Sequence, residues 1–166
     1  MPNSNINITT LDSKDWQKYK EIRLEMLAGD DSQFGWNIEE ALDLTDQQWQ
    51  QMAKSCYIIA MLESLIVGVV NLSFTKAIKK RHVAEIGSVF VKPEYRGQGV
   101  ARSLFQELER IAKSKGVEIL KLTVLTNNIS AKTLYEKIGF IKTGDIPKSL
   151  KNKGIYYDEI LMQKQI

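Results

Sequence analysis

Val89-Phe90-Val91-Lys92-Pro93-Glu94-Tyr95-Arg96-Gly97-Gln98-Gly99-Val100-Ala101 is the stretch on which the fold turns. Apolar β-formers lead into Pro93 and two glycines, and Val100, Ala101, Leu104, Phe105, Leu108, Ile111 and Ala112 then recur at helical spacing up to Gly116. A strand therefore runs through a glycine-rich turn directly into an amphipathic helix. Backbone N–H groups at a helix start have no intrahelical partner, and the macrodipole adds partial positive charge there. Glycines let the backbone close around phosphate oxygens with no Cβ in the way, and Arg96 and Arg102 add charge-assisted donors. The segment reads as a pyrophosphate cradle. It is not a dinucleotide fingerprint, because Arg102 stands where a third glycine is needed, and nothing in the chain matches a P-loop.

Downstream, residues 117–126 are nearly continuous apolar and β-branched, which predicts a strand packed on both faces. Asn128 caps a last helix bearing Ala131, Leu134, Tyr135 and Ile138 and stopping at Gly139, and two strands near residues 140–143 and 155–162 close the chain. Upstream, residues 56–62, 65–74 and 84–91 are successive strands, the first two joined at Glu63-Ser64, and Gly87 signals a bulge or a close backbone approach. Four cations within residues 76–81 read as a solvated turn. Residues 5–10 form a first strand. Asp12 or Ser13 caps a helix that carries Trp16, Tyr19, Ile22 and Met26, runs to about Ala28 and has Gly29 past its end. Thr45 and Gln48 make a capping box for a helix with Trp49 and Met52 on its apolar face, and residues 30–36 between the two helices are irregular. The order β-α-α-β-β-β-α-β-α-β-β predicts an α/β protein with a mixed sheet and one embedded strand–helix–strand unit.

The chain has 166 residues, 43% hydrophobic and 26% charged, which fits one globular domain over residues 1–166 and excludes disordered, collagen-like and disulfide-scaffold classes. Its longest apolar run, residues 65–70, is too short to cross a bilayer, and the first residues lack a basic and apolar leader. Cys56 stands alone, so a reducing cytoplasm is the expected location. Residues 1–60 hold five Lys/Arg against ten Asp/Glu, and residues 61–166 hold eighteen against ten. The basic half suits an anionic ligand, but no dense basic stripe with interleaved aromatics points to nucleic acid.

Arg96, Gly99 and Ala101 stand as R-x-x-G-x-A, which resembles the acetyl-CoA motif of the GNAT superfamily of N-acetyltransferases. One strand further on, Asn128-x-x-Ala131-x-x-Leu134-Tyr135-Glu136-Lys137-Ile138-Gly139-Phe140 is similar to a second block of the same superfamily, and Gly144, Tyr156, Tyr157, Asp158 and Glu159 are similar to its final strands. The resemblance implies a mostly antiparallel mixed sheet splayed beside an acetyl-CoA site and flanked by helices. By the same resemblance, the backbone of Val89, Phe90 and Val91 pairs with the pantetheine arm, and Arg96, Gly97, Gln98, Gly99, Val100, Ala101 and Arg102 receive the pyrophosphate. Asn128 contacts the cofactor, and Tyr135 sits near the thioester sulfur. Taken alone, Asn128 is equally a helix cap and Tyr135 a core aromatic. Acetyl-CoA is the implied co-substrate, with no metal, no nucleic acid and no membrane partner. A homodimer is common among such proteins, and the oligomeric state stays open.

The chemistry follows from the groups. A neutral amine attacks a thioester and a thiolate leaves. Deprotonating a lysine-like amine near pH 7 costs roughly 4.6 kcal/mol, so a carboxylate or a water chain ending in one is needed. The leaving thiolate calls for a donor, for which a tyrosine hydroxyl is suited. Glu85, eleven residues before Arg96, matches the offset of the catalytic glutamate in the histone-acetylating branch, and strict alternation places it on one strand face with Gly87, Val89 and Val91. A surface ion pair is its other reading, and His82 and bulk water are weaker candidates for the base. Thr123 occupies the position of the base in ribosomal-protein alanine acetyltransferases, which argues against that mechanism, and Cys56 has no histidine partner for a covalent route. The expected activity is acetyl transfer to a primary amine by direct attack in a ternary complex. Asp30, Asp31, Glu39 and Glu40 near the expected acceptor entrance favour a small cationic amine over a peptide or protein amine. A non-catalytic acyl-CoA-binding module is the remaining alternative.

Overall fold

The computed structural model describes residues 5–30 and 33–166, residue 30 by its backbone alone. Its strands are β1 (Ile6–Thr10), β2 (Cys56–Leu62), β3 (Leu65–Phe74), β4 (Val83–Val91), β5 (Ile119–Leu125), β6 (Ile141–Asn152) and β7 (Ile155–Gln165). They form one seven-stranded sheet in the order β1-β2-β3-β4-β5-β7-β6. All neighbours are antiparallel except β4 and β5, which are joined by the crossover helix α4 (Val100–Ser114). The remaining helices are α1 (Trp16–Asp30), α2 (Ile38–Leu42), α3 (Asp46–Met52) and α5 (Ile129–Lys137).

The two faces of the sheet carry separate cores. On one, Leu104, Phe105, Leu108 and Ile111 of α4 and Tyr135 of α5 pack against Ile58, Val70, Leu72, Ile86, Leu120 and Leu122. On the other, Tyr19, Ile22 and Met26 of α1 and Trp49 of α3 cover Tyr57, Ile59, Val69 and Phe90. The capping box expected at Thr45 and Gln48 is present.

Several expectations are corrected. Asp12 caps a short 3-10 turn, Ser13–Asp15, and α1 continues through Gly29, which is a helix residue and not a stop. The stretch between the two expected helices contains α2, opened by an Asn37–Glu40 capping box. Strand β6 extends to Asn152, well past residue 143. Strand β5 is not buried on both faces: Leu120, Leu122 and Val124 enter the α4 core, whereas Thr123 is exposed. The α1–α3 layer lies over β2, β3 and Phe90 of β4, so the opposite face of β5 is left as the wall of a cleft.

The consequential correction concerns β4. Val69 pairs with Phe90 but Asn71 pairs with Gly87, so two steps along β3 oppose three along β4. One extra residue bulges out, and Ser88 takes φ +51 to accommodate it. A one-residue slip flips every later side chain. Phe90, and neither Val89 nor Val91, therefore shares the α1 face with Glu85 and Gly87; Val89 packs against the α4 core and Val91 enters it.

Gly68 faces the start of α4. A Cβ built there meets Leu104 Cδ1 at 3.2 Å, Val100 Cγ1 at 3.3 Å and the Phe90 carbonyl oxygen at 3.2 Å. The backbone oxygen has no rotamer with which to yield. Gly68→Ala is therefore expected to lower stability by about 1–3 kcal/mol, as overpacking does. Urea unfolding checks this, and an unchanged midpoint would show that α4 can move aside.

Candidate active site

Strands β4 and β5 pair over only three residues among those described: Val83, Ala84 and Glu85 with Ile119, Leu120 and Lys121. Beyond that vertex they diverge. A cleft of about 1330 Å³ opens between Ile86–Val91 and Leu122–Leu125 and continues along the glycine turn to the starts of α4 and α5. That is ample for a large, extended ligand.

The turn is built as the sequence suggests. Pro93 opens a 3-10 turn, Pro93–Tyr95, and Gly97 and Gly99 hold φ +73 and +82, which side-chain-bearing residues rarely adopt. Gly99 is the N-cap of α4 with no side-chain cap, so the first N–H groups of this 15-residue helix are offered to the cleft. A Cβ at Gly97 or Gly99 meets nothing within 4 Å, which leaves open space where a ligand's phosphates would approach the backbone. Arg96, Gly97, Gly99, Val100, Ala101 and Arg102 all line the cleft. Arg96 also braces the turn, its Nε donating to the Val91 carbonyl at 2.9 Å and its guanidinium lying 6.0 Å from the Phe90 ring centre. Gln98 is not among the lining residues and instead donates to the Glu94 carbonyl at 2.9 Å. These features fit a pyrophosphate-bearing ligand such as acetyl-CoA.

Val89, Phe90 and Val91 line the same cleft. Asn128 also faces it while its Oδ1 accepts the Ala131 N–H at 3.1 Å, so the cap role is realised and coexists with a place in the site. Tyr135 enters from the α4 face, packed between Phe105 and Phe140 with ring centres 5.9 and 6.1 Å away. It is 6% exposed and lines the cleft, and burial pushes its phenol well above the usual tyrosine range. Burial thus opposes loss of the hydroxyl proton, and near neutral pH the group is a phenol that can donate as well as accept a hydrogen bond.

Glu85 lies elsewhere. It stands at the vertex on the α1 face, 68% exposed, with Lys121 Nζ 3.3 Å from its carboxylate. The cleft lining begins one residue later, at Ile86. Glu85 and Tyr135 thus come from opposite faces of the sheet, on either side of the opening between β4 and β5. Glu159 on β7 is a carboxylate that the sequence reading did not single out as a base. It pairs in register with Leu125, lines the cleft on the Glu85 face and accepts a hydrogen bond from Ser149.

Sequence reasoning also missed two buried cations that tie α1 to β4. Lys92 pairs with Glu25 at 2.7 Å, and Arg23 donates from Nη1 to Ser88 Oγ at 2.7 Å. The available signal was Arg23 itself, four residues after Tyr19 and three before Met26, in the middle of an apolar helix stripe. Of the acidic residues expected at an acceptor entrance, the Glu40 carboxylate accepts the Asn37 N–H at 3.1 Å, and Asp31 and the Asp30 side chain lie outside the described residues. Glu40, Phe34, Trp36 and Tyr157 wall a hollow of about 130 Å³ that shares Phe34 and Gly35 with the cleft. Among the described residues, no three His, Cys, Asp or Glu side chains gather as metal ligands would. No described helix is long and apolar enough to cross a membrane.

The sheet, the divergent β4–β5 pair and the glycine turn define an acetyltransferase-type fold. The chain belongs to the acetyltransferase (GNAT) family, whose family model matches residues 16–140. It is 40% identical over 63 residues to an uncharacterized N-acetyltransferase of Methanocaldococcus jannaschii, a match covering 38% of this chain and 28% of that protein. The chain spans less than half the length of the first curated relatives it matches. Among solved structures, a GNAT-family acetyltransferase of Streptococcus pneumoniae superposes with a TM-score of 0.85 at 23% identity, over 97% of this chain and 99% of that one. The yncA protein of Salmonella typhimurium, solved with its cofactor acetyl-CoA, superposes with a TM-score of 0.77 at 20% identity, over 98% and 94%.

Proposed function

We propose that this chain is an acetyl-CoA-dependent N-acetyltransferase that acetylates a primary amine by direct attack within a ternary complex. The observation that carries this reading is the opening between β4 and β5, which leads at one end to the uncapped start of α4 and has the buried Tyr135 in its wall. Acetyl-CoA supplies an activated acyl group whose carbonyl is attacked by the amine. The chain's own parts do the rest. The glycine turn and α4 start bind the pyrophosphate, with Arg96 and Arg102 beside them. The β5-side edge of Val89, Phe90 and Val91, which has no strand partner, orients the pantetheine arm, and Asn128 adds a polar contact. Tyr135 delivers a proton to the departing sulfur.

The acceptor approaches from the α1 face, where the carboxylates stand. Glu85, acting through a water from the vertex, is the proposed proton acceptor. Glu159 is the second reading, favoured by its place in the cleft lining. Glu85→Gln is expected to be slow at pH 7 and to approach the wild-type rate as pH rises toward the amine pKa of about 10.4. The sign follows from proton supply: higher pH provides neutral amine without a base. A pH-independent deficit would give Glu85 a binding or structural role, and no deficit, with a pH-sensitive loss in Glu159→Gln, would move the base to β7. The hollow walled by Trp36, Tyr157 and Glu40 offers aromatic faces and one carboxylate to a small cationic amine, with Lys151 also in its wall. An assay of thiol release from acetyl-CoA across polyamines, amino acids, aminoglycosides and peptide amines tests both the activity and the acceptor. Binding without thiol release by any amine would support an acyl-CoA-binding module instead.

A further inference from the structure

Arg23 is a buried residue, 9% exposed, and among the described residues it has no carboxylate within ion-pairing distance. Its Nε has no hydrogen-bond partner, and its one recorded polar contact is from Nη1 to Ser88 Oγ. Burying a cation in this way is costly unless the arrangement is held for a reason. Ser88 is itself strained: it is the bulge residue of β4, at φ +51, and it lines the cleft. The bulge is the point at which β4 leaves regular pairing with β3, just past the vertex where it leaves β5. Two residues further along α1, Glu25 pairs with Lys92 immediately beyond β4. Helix α1 is therefore clasped to β4 at both ends of residues 88–92, the span that faces the proposed acyl site.

We propose that Arg23 is a positioning residue for acyl transfer, holding Ser88 and with it the left-handed bulge of β4, whose residues 88 and 89 have no register partner on β3 or β5, in the conformation that presents its backbone to the cleft. The inference rests on the acetyltransferase reading above. Because Arg23 can only donate, Ser88 Oγ accepts and its own hydrogen is directed elsewhere. Arg23 is not among the residues that line the cleft and acts only through Ser88, so loss of the clasp acts on the chemical step more than on cofactor binding, which the glycine turn controls.

Arg23→Met keeps length and removes the donors, Ser88→Ala removes only the hydroxyl, and the double variant completes a cycle. Each single change is expected to lower kcat about 10- to 100-fold, the scale of one charge-assisted hydrogen bond, with KM for acetyl-CoA within about threefold. The double variant should be no slower than the slower single one, because both remove one contact. Amide hydrogen exchange at Lys92, whose N–H donates to the Val67 carbonyl at 2.9 Å just past the bulge, should quicken about tenfold in both single variants, read without ligand, while α4 amides stay unchanged. If Arg23→Met does not fold, Ser88→Ala alone decides. Wild-type kcat in Ser88→Ala, losses that multiply in the double variant, or unchanged exchange at Lys92 would overturn the proposal. A wild-type protein that releases no thiol with any amine overturns the functional reading and this role with it, even where exchange upholds the clasp.

Discussion

Gly99→Val is expected to reduce acetyl-CoA affinity by about 100-fold or more while leaving a folded protein. Gly99 sits at φ +82, where a β-branched residue is a steric outlier, so the variant carries about 1–3 kcal/mol of strain. The Cβ itself meets no protein atom within 4 Å. Valine's methyls therefore enter the open cradle and occupy the space through which phosphate oxygens approach the first N–H groups of α4. Strain on the turn and loss of that approach act in the same direction on binding, and each 1.4 kcal/mol is worth tenfold. Calorimetric titration checks the affinity and thermal melting checks the fold. Unchanged affinity in a folded variant would remove the pyrophosphate from this turn.

Tyr135→Phe is expected to slow turnover about 100-fold with little change in acetyl-CoA affinity, the scale of a lost general acid. The ring is retained against Phe105 and Phe140, so stability should hold. Burial keeps the wild-type hydroxyl protonated across the assay range, which makes it a donor near neutral pH and argues against a role as base. Steady-state and single-turnover rates measured together separate chemistry from product release. A single-turnover rate within about twofold of wild type would leave Tyr135 as a packing residue.

What the sequence made legible was local. The path from β4 through the glycine turn into α4 could be read because apolar spacing, Pro93 and the two glycines all lie within one short stretch. Asn128 and Tyr135 could be read for the same reason, since a cap and an apolar stripe announce one short helix. The bulge at Ser88 was only half visible. Gly87 signalled an irregularity, but alternation carried across it put Val89 and Val91 on the wrong face, because the extra residue is specified by pairing with β3 and not by β4 itself. Helix α2 was hidden because five residues give too few turns for a period, and its Asn37–Glu40 capping box was the only signal. The lysines at 148 and 151 concealed the length of β6, a sheet-edge strand with one solvated side. The Arg23–Ser88 contact joins residues 65 apart, so no local pattern encodes it.

The most direct test of the account is a single-turnover reaction with acetyl-labelled acetyl-CoA, run with and without the best amine of the panel and read by mass spectrometry of both protein and small molecules. The account predicts thiol release that requires the amine, label appearing one-for-one on that amine, and no acetylated protein. Label on the protein, or no thiol release with any amine despite bound acetyl-CoA, would contradict it.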